Sequence, residues 1–248
     1  MTYRVFYHLC KSIVTTTIWL TTACIYAQTR HLEKLEIGNA LFRQGNYQEA
    51  ITAYSEAIEL DTNLVQAYNN RGNAYFRLNQ FINALSDYDK VIARTPKDAD
   101  AYLNRGNVYA IIGDNWRAIR DYNTAIKLNS NHEEAYYNRG LTYFALKNYV
   151  KAKEDMMQCV KLNANNAEAH NYLGICLYFE GNTKEALAHI DRAIDLAPQY
   201  AEAYYHRATV YFEEGLLPQA LEAINKAVQL APNIAEYKAL KGEIEKIK

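Results

Sequence analysis

A spacing of 34 residues runs through the chain and constrains its fold more than any other feature. Gly38, Gly72, Gly106, Gly140 and Gly174 stand one such step apart, and Ala208 and Gly242 continue the series. Ala50, Ala84, Ala118, Ala152, Ala186 and Ala220 keep the same step in a second phase. Two phased series of small residues mean that one supersecondary unit is copied along the chain, so each copy buries its apolar face against its neighbours. With position 1 at His31, the units are 31–64, 65–98, 99–132, 133–166, 167–200 and 201–234, followed by a tail over 235–248.

Local signals predict two antiparallel helices per unit. Position 15 reads Gly45, Asn79, Gly113, Lys147, Gly181 and Gly215, mostly residues that tolerate the left-handed backbone ending a helix. Position 16 reads Asn46, Gln80, Asp114, Asn148, Asn182 and Leu216, mostly side chains able to cap the next helix. Helix A therefore fills the positions before 15, and helix B starts near position 17. Pro218 falls in a first helical turn, where a missing N–H is harmless, while Pro96, Pro198 and Pro232 at position 32 stop helix B. Ten Gly and four Pro in 248 residues suit a chain with about two breakers per unit and disfavour one built from hairpins. An apolar half of the residues excludes intrinsic disorder.

Thirteen of the 22 tyrosines follow the same phase, at positions 4, 11, 17 and 24. Position 4 carries Tyr68, Tyr102, Tyr136 and Tyr204, position 11 carries Tyr75, Tyr109, Tyr143 and Tyr211, and position 24 carries Tyr54, Tyr88 and Tyr122, with Met156, Ile190 and Ile224 completing it. An aromatic at 4 and 11, small residues at 8 and 20, an aromatic or apolar residue at 24 and Pro at 32 resemble the tetratricopeptide (TPR) repeat over residues 31–248. The departures are Lys34 and His170 at position 4 and Ala208 at position 8. The resemblance implies an all-α solenoid, a right-handed TPR superhelix of six helix-turn-helix repeats. Residues 235–248 repeat only a helix A, with Tyr237, Leu240, Ile244 and Ile247 on one stripe, and are expected to cap the last repeat.

Comparing the units with one another separates scaffold from surface. Arg71, Arg105, Arg139 and Arg207 occupy position 7, and Asp87, Asp121 and Asp155 occupy position 23. Units two to four have both residues, units one and five have neither, and unit six has Arg207 without an acid at that position. Structural ion pairs Arg71–Asp87, Arg105–Asp121 and Arg139–Asp155 inside each unit are therefore expected, rather than pairs with position 23 of the preceding unit. Asn70, Asn104 and Asn138 recur at position 6. An amide accepts and donates together with a peptide group, and this ladder resembles the one with which the TPR domain of O-linked N-acetylglucosamine transferase grips an extended backbone. Bonding to the chain's own carbonyls or to water is the alternative. Other groove positions of the family supply Asn69, Asn73, Asn107, Tyr137, Asn171, Tyr178 and Tyr205 as partner-binding candidates, with Phe76, Arg77, Leu103, Leu141, Phe144, Ile175, Phe179 and Phe212 around them. The rings either anchor a ligand or pack between neighbouring A helices. Position 5 offers no cation, which argues against the carboxylate clamp of chaperone-binding TPR proteins. An acidic series at position 2, Asp100, Glu134, Glu168 and Glu202, either compensates helix dipoles or favours a basic ligand.

Met1 to Ala27 contains no acid, and Arg4 and Lys11 precede an apolar, threonine-rich run over 13–25. This pattern is that of a secretory signal peptide cut after Ala27 or retained as an anchor, leaving residues 28–30 as a short lead-in. A spanning helix needs about 20 apolar residues, and Cys24 weakly resembles a lipid-acylation site. An exported, periplasmic or cell-envelope protein of a bacterium is the resulting expectation, with membrane contact only through an uncleaved N-terminal segment. Cys159 and Cys176 fall in apolar helical patterns and are expected to be unpaired core residues, with a disulfide as the alternative. A net charge of −1 gives no reason to expect nucleic acid or an anionic membrane as partner, though it leaves room for a local basic patch. There is no phosphate loop, H-E-x-x-H, C-x-x-C or G-x-S-x-G, and His132, His170, His189 and His206 lack metal-ligand spacing. No metal, cofactor or catalytic residue is expected. The sequence thus points to a non-catalytic scaffold that binds an extended peptide or a helix of a partner protein in a concave groove. A structural assembly subunit of an envelope complex, using its convex face or edges, is the alternative.

Overall fold

The computed structural model describes residues 29–247. The expected signal peptide with its cut after Ala27, residue 28 of the expected lead-in, and Cys10 and Cys24 lie outside them. Thirteen helices and no strand occur among the described residues. A first helix, α1, is described over 29–43. It is followed by α2 (Tyr47–Leu60), α3 (Val65–Arg77), α4 (Phe81–Arg94), α5 (Ala99–Ile111), α6 (Asn115–Leu128) and α7 (Glu133–Ala145). Then come α8 (Tyr149–Leu162), α9 (Ala167–Phe179), α10 (Thr183–Leu196), α11 (Ala201–Glu213), α12 (Leu217–Leu230) and α13 (Ala235–Ile247). Odd-numbered helices are the A helices and even-numbered ones the B helices. By contact density the chain divides within α5 into one unit that ends at Val108 and a second that starts at Tyr109. No described helix is long and apolar enough to cross a membrane.

All six residues at position 15 adopt positive φ, including Asn79 at 58° and Lys147 at 57°. The next residue caps helix B less generally than its identity suggests. Asp114 and Asn148 accept from the backbone N–H three residues on, whereas Asn46, Gln80 and Asn182 make no side-chain cap.

Close approach of A to B explains the two small-residue series. A Cβ on Gly72 would lie 2.8 Å from the Tyr88 ring, one on Gly174 would lie 2.6 Å from Ile190, and one on Gly38 would collide with Tyr54. Tyr54, Tyr88, Met156, Ile190 and Ile224, all at position 24, are fully buried against this seam, as are the alanines of position 20. Cys159 and Cys176 are free and buried, as expected, and burial pushes both thiols up to about 12.

The position 7 arginines prove to be clips between repeats as well as ties within them. Arg71 donates through Nε and Nη2 to both oxygens of Asp87 at 2.7 and 2.8 Å, and Arg139 grips Asp155 in the same way at 2.9 and 2.6 Å. Arg105 and Asp121 belong to one repeat but lie on either side of the division within α5. The remaining guanidinium nitrogen, Nη1, reaches position 25 of the preceding repeat: Ser55 from Arg71 at 2.9 Å, Asp89 from Arg105 at 2.6 Å, and Asn123 from Arg139 at 2.5 Å. Arg207, which has no acid at position 23 of its own repeat, meets Asp191 through Nη1 at 3.1 Å. Where Leu173 replaces the arginine, position 25 is Met157, and both side chains line one surface pocket. Pairing within the unit is thus right for Arg71 and Arg139 but describes only part of what the guanidinium does.

In the cap, Tyr237 and Ile244 are buried and Leu240 packs beside them, while Ile247, three residues past Ile244, is exposed.

Candidate functional site

In the first unit, helices α1, α3 and α5 bring a chain of amides together. Asn70 donates through Nδ2 to Asn39 Oδ1 at 2.8 Å, Asn69 donates to Asn70 Oδ1 at 3.5 Å, and Asn104 donates to Asn69 Oδ1 at 3.4 Å. Two buried rings lend their hydroxyls to the same wall. Tyr54 donates to Asn39 Oδ1 at 3.1 Å and Tyr88 to Asn73 Oδ1 at 2.7 Å. Burial is the main reason the Tyr54 hydroxyl is pushed up to about 12, so it stays a donor at neutral pH. A cleft of about 240 Å³ opens against this wall, lined by Asn39, Phe42, Arg43, Tyr54, Asn70 and Asn73. Phe42 packs edge-on to Tyr47 at 5.2 Å, and the Arg77 guanidinium lies 4.8 Å from the Tyr47 ring centre. Asn69, Asn70, Asn73, Asn104 and Asn107 are all half-buried, and Asn70 and Asn73 among them line the cleft. Neighbouring amides thus satisfy part of each other's capacity, and an Asn side chain with two donors and two lone pairs retains the rest. Asn39, Phe42 and Arg43 are absent from the sequence-derived set, although Asn39 sits one period before Asn73 and could have been found from that spacing.

The second unit presents rings rather than amides. Tyr137 meets Tyr172 edge-on at 6.4 Å, and Phe144 meets Tyr172 at 5.3 Å. Tyr172 and Tyr200 donate to the two oxygens of Glu202 at 2.9 and 2.8 Å. Burial and that carboxylate hold both phenols well above the ordinary tyrosine range. Asn171, expected on the partner-binding surface, is wholly buried: it donates to the Tyr200 hydroxyl at 3.2 Å, and its Oδ1 lies 2.9 Å from His206 Nδ1. Its position faces the next A helix, so it belongs to the packing between repeats. Burial drives the imidazole of His206 down to about 4, so the ring is neutral and donates from Nδ1 to that oxygen. Tyr205 is stacked on Tyr237 of the cap, ring centres 4.8 Å apart, and presents only part of its surface. Tyr178 is half-buried beside Phe179, which in turn stacks on Tyr149 at 4.1 Å. Asn138 is half-buried on α7, in the second unit. A cleft of about 520 Å³ is lined by Glu133, Glu134, Tyr137, Asn166 and Glu168 among others, so the acids at position 2 of repeats four and five do face a surface opening.

On the B-helix side, His170 and His189 pair Nδ1 to Nδ1 at 2.9 Å, with His170 Nε2 donating to the Ala164 carbonyl at 3.2 Å. Burial lowers both imidazoles below their usual range. Among the described residues no group of three or more His, Cys, Asp or Glu side chains converges as a metal site.

Known proteins match this geometry. A sequence model described as TPR repeat matches residues 38–79, 72–113 and 106–147, and two described as tetratricopeptide repeat match 133–166 and 177–244. Among solved structures, YrrB, described as a TPR protein with an unusual peptide-binding site, is 27% identical with a TM-score of 0.65, over 78% of this chain and 98% of that one. PilF of Pseudomonas aeruginosa superposes with a TM-score of 0.75 at 19% identity, over 88% of this chain and 99% of its own. MamA does so with 0.63 at 23% identity, over 71% and 96%. These two likenesses speak to the fold alone. A DnaJ homolog subfamily C member 7 homolog of Schizosaccharomyces pombe is 43% identical over 56 residues, which are 21% of this chain and only 12% of that protein.

Proposed function

Since the chain belongs to the tetratricopeptide repeat family, we propose that it is a non-catalytic scaffold whose first unit holds an extended segment of a partner protein against the amide wall of α1, α3 and α5. The observation that carries this reading is the chain Asn39–Asn70–Asn69–Asn104 above an open cleft. An amide can give and take a hydrogen bond with the same peptide group, so a row of them recognises main chain without demanding a particular sequence. Phe42 beside the cleft supplies apolar surface, and Arg43 adds charge at its lining. The likeness to YrrB, whose own description includes a peptide-binding site, agrees in kind. Export to the cell envelope is part of the same proposal and rests on Met1 to Ala27 alone.

Selection of displayed random peptides on the purified protein tests this reading. The selected peptides should bind Asn70→Ala with Asn104→Ala at least tenfold more weakly than the unsubstituted protein. Binders indifferent to both substitutions would place recognition elsewhere on the molecule.

A further inference from the structure

One edge of the second unit, formed by the A-to-B turns, carries large apolar side chains in solvent. In the third repeat Ile112 and Trp116 hold positions 14 and 18; in the fourth, Leu146 and Val150 hold the same two. Their exposures are 48%, 78%, 41% and 54%. The turns between them have the same left-handed residue, Gly113 at 82° and Lys147 at 57°, so equivalent positions of these adjacent repeats project from the same edge. Exposed aliphatic and indole side chains that recur at the same two positions of adjacent repeats mark a candidate contact surface.

The charge around the row narrows what that is. Residues 110–120 and 144–151 carry Arg117, Arg120, Lys147 and Lys151 against Asp114 alone. Asp114 caps α6 and lies 3.4 Å from Arg117, and Arg120 lies 3.9 Å from the buried Asp121. A second copy docked edge to edge would set like charges together, which costs affinity. The apolar groups stand on turns and first helical positions as separate points between cations. Indole rings settle at the boundary between headgroups and acyl chains, and cations are drawn to anionic headgroups.

We propose that this edge rests on an anionic lipid surface, with Trp116, Val150, Ile112 and Leu146 among the headgroups and Arg117, Arg120, Lys147 and Lys151 at the phosphates. The contact is separate from the N-terminal segment and from the amide wall of the first unit, so it stands or falls independently of peptide capture.

Trp116 reports on it directly. Trp19 and Trp116 are the two tryptophans of the chain, so Trp19→Phe in the full chain leaves one reporter at the proposed contact. With vesicles of phosphatidylcholine containing phosphatidylglycerol and brominated acyl chains, Trp116 emission should shift to shorter wavelength and be quenched. Pure phosphatidylcholine vesicles should give neither change. Each cation near an anionic leaflet strengthens partition about fivefold, so Lys147→Gln with Lys151→Gln should weaken it about 25-fold at unchanged helicity. Three outcomes would overturn the proposal. Protein that sediments with vesicles while Trp116 stays unquenched is held by its N-terminal segment alone. A blue shift that grows with protein concentration in the absence of lipid assigns the edge to a second copy. Quenching unaffected by the two lysine substitutions removes the electrostatic basis.

Discussion

Lys147 holds a left-handed backbone at φ 57° where four of the other five repeats use glycine. A side chain in that region costs about 1 kcal/mol relative to glycine, so Lys147→Gly should raise stability by about that amount in a denaturant titration. Its neighbours in the repeat series were legible from sequence because the requirement is local: the turn dictates the conformation and the conformation selects the residue. Asn171 shows the limit of that reasoning. It occupies a family groove position, yet it is sealed under Tyr200 and His206 by contacts made 29 and 35 residues away. His206 gives the site a pH signature. Its ring is neutral in the folded chain down to about pH 4, whereas an unfolded histidine takes a proton near 6.5. The unfolded state therefore binds more protons between those values, and stability is complete above about 6.5 and falls as pH drops toward 4. The loss assigned to this one group is on the order of 3 kcal/mol. Subtracting the pH profile of His206→Gln from that of the unsubstituted protein should isolate this slope; parallel profiles would show that His206 titrates normally.

Between elements, one rule decides whether a glycine is required: what stands opposite its missing Cβ. Gly72 on α3 faces the Tyr88 ring of α4 at 2.8 Å, with Tyr88 itself buried and unable to move aside. Gly242 on α13 faces nothing within 4 Å. Gly72→Ala should lower stability by about 1–3 kcal/mol through overpacking, and Gly242→Ala should raise it by about 0.5–1 kcal/mol through helix propensity. Opposite signs for the same substitution at the same repeat position would distinguish the seam from the cap in thermal melts. The phase of the small residues was readable in sequence because both partners in the seam recur every repeat. The arginine clips were only half readable. Asp87 and Asp155 repeat as one residue type, whereas position 25 offers Ser55, Asp89, Asn123 and Asp191, which share the ability to accept a hydrogen bond and little else. The matched loss of both partners at Leu173 and Met157 was the sequence signal that pointed to position 25. Removing one partner of a buried pair leaves the other charge stranded. Arg71→Met should therefore cost about 3 kcal/mol, and adding Asp87→Asn should recover part of that loss.

At the scale of the whole chain, the arrangement of repeats sets how far damage travels. Each repeat is held by its immediate neighbours, so stability is a sum of repeat and interface contributions rather than the property of one core. The cap α13 is the clearest place to test this. Tyr237 stacks on Tyr205, and Tyr237 and Ile244 share a buried cluster with Tyr204, Ile224 and Ala227 of α11 and α12. Ending the chain at Ile234 would bare that cluster to water. The lost burial of two large side chains amounts to about 3–6 kcal/mol, comparable with the stability of a typical small domain. Hydrogen exchange on the truncated chain should show α11 and α12 losing protection first and most, with α9 and α10 affected less. Helices α2, α3 and α4, which lie in the other compact unit, should keep the protection they have in the full chain. A uniform loss over all helices would mean that the chain unfolds as a single cooperative body, so that the amide wall of the first unit depends on packing at the far terminus. Retained protection in α2 to α4 would mean that the wall is stabilised locally, by the Asn39 to Asn104 amide chain and the Arg71 and Arg105 clips beneath it.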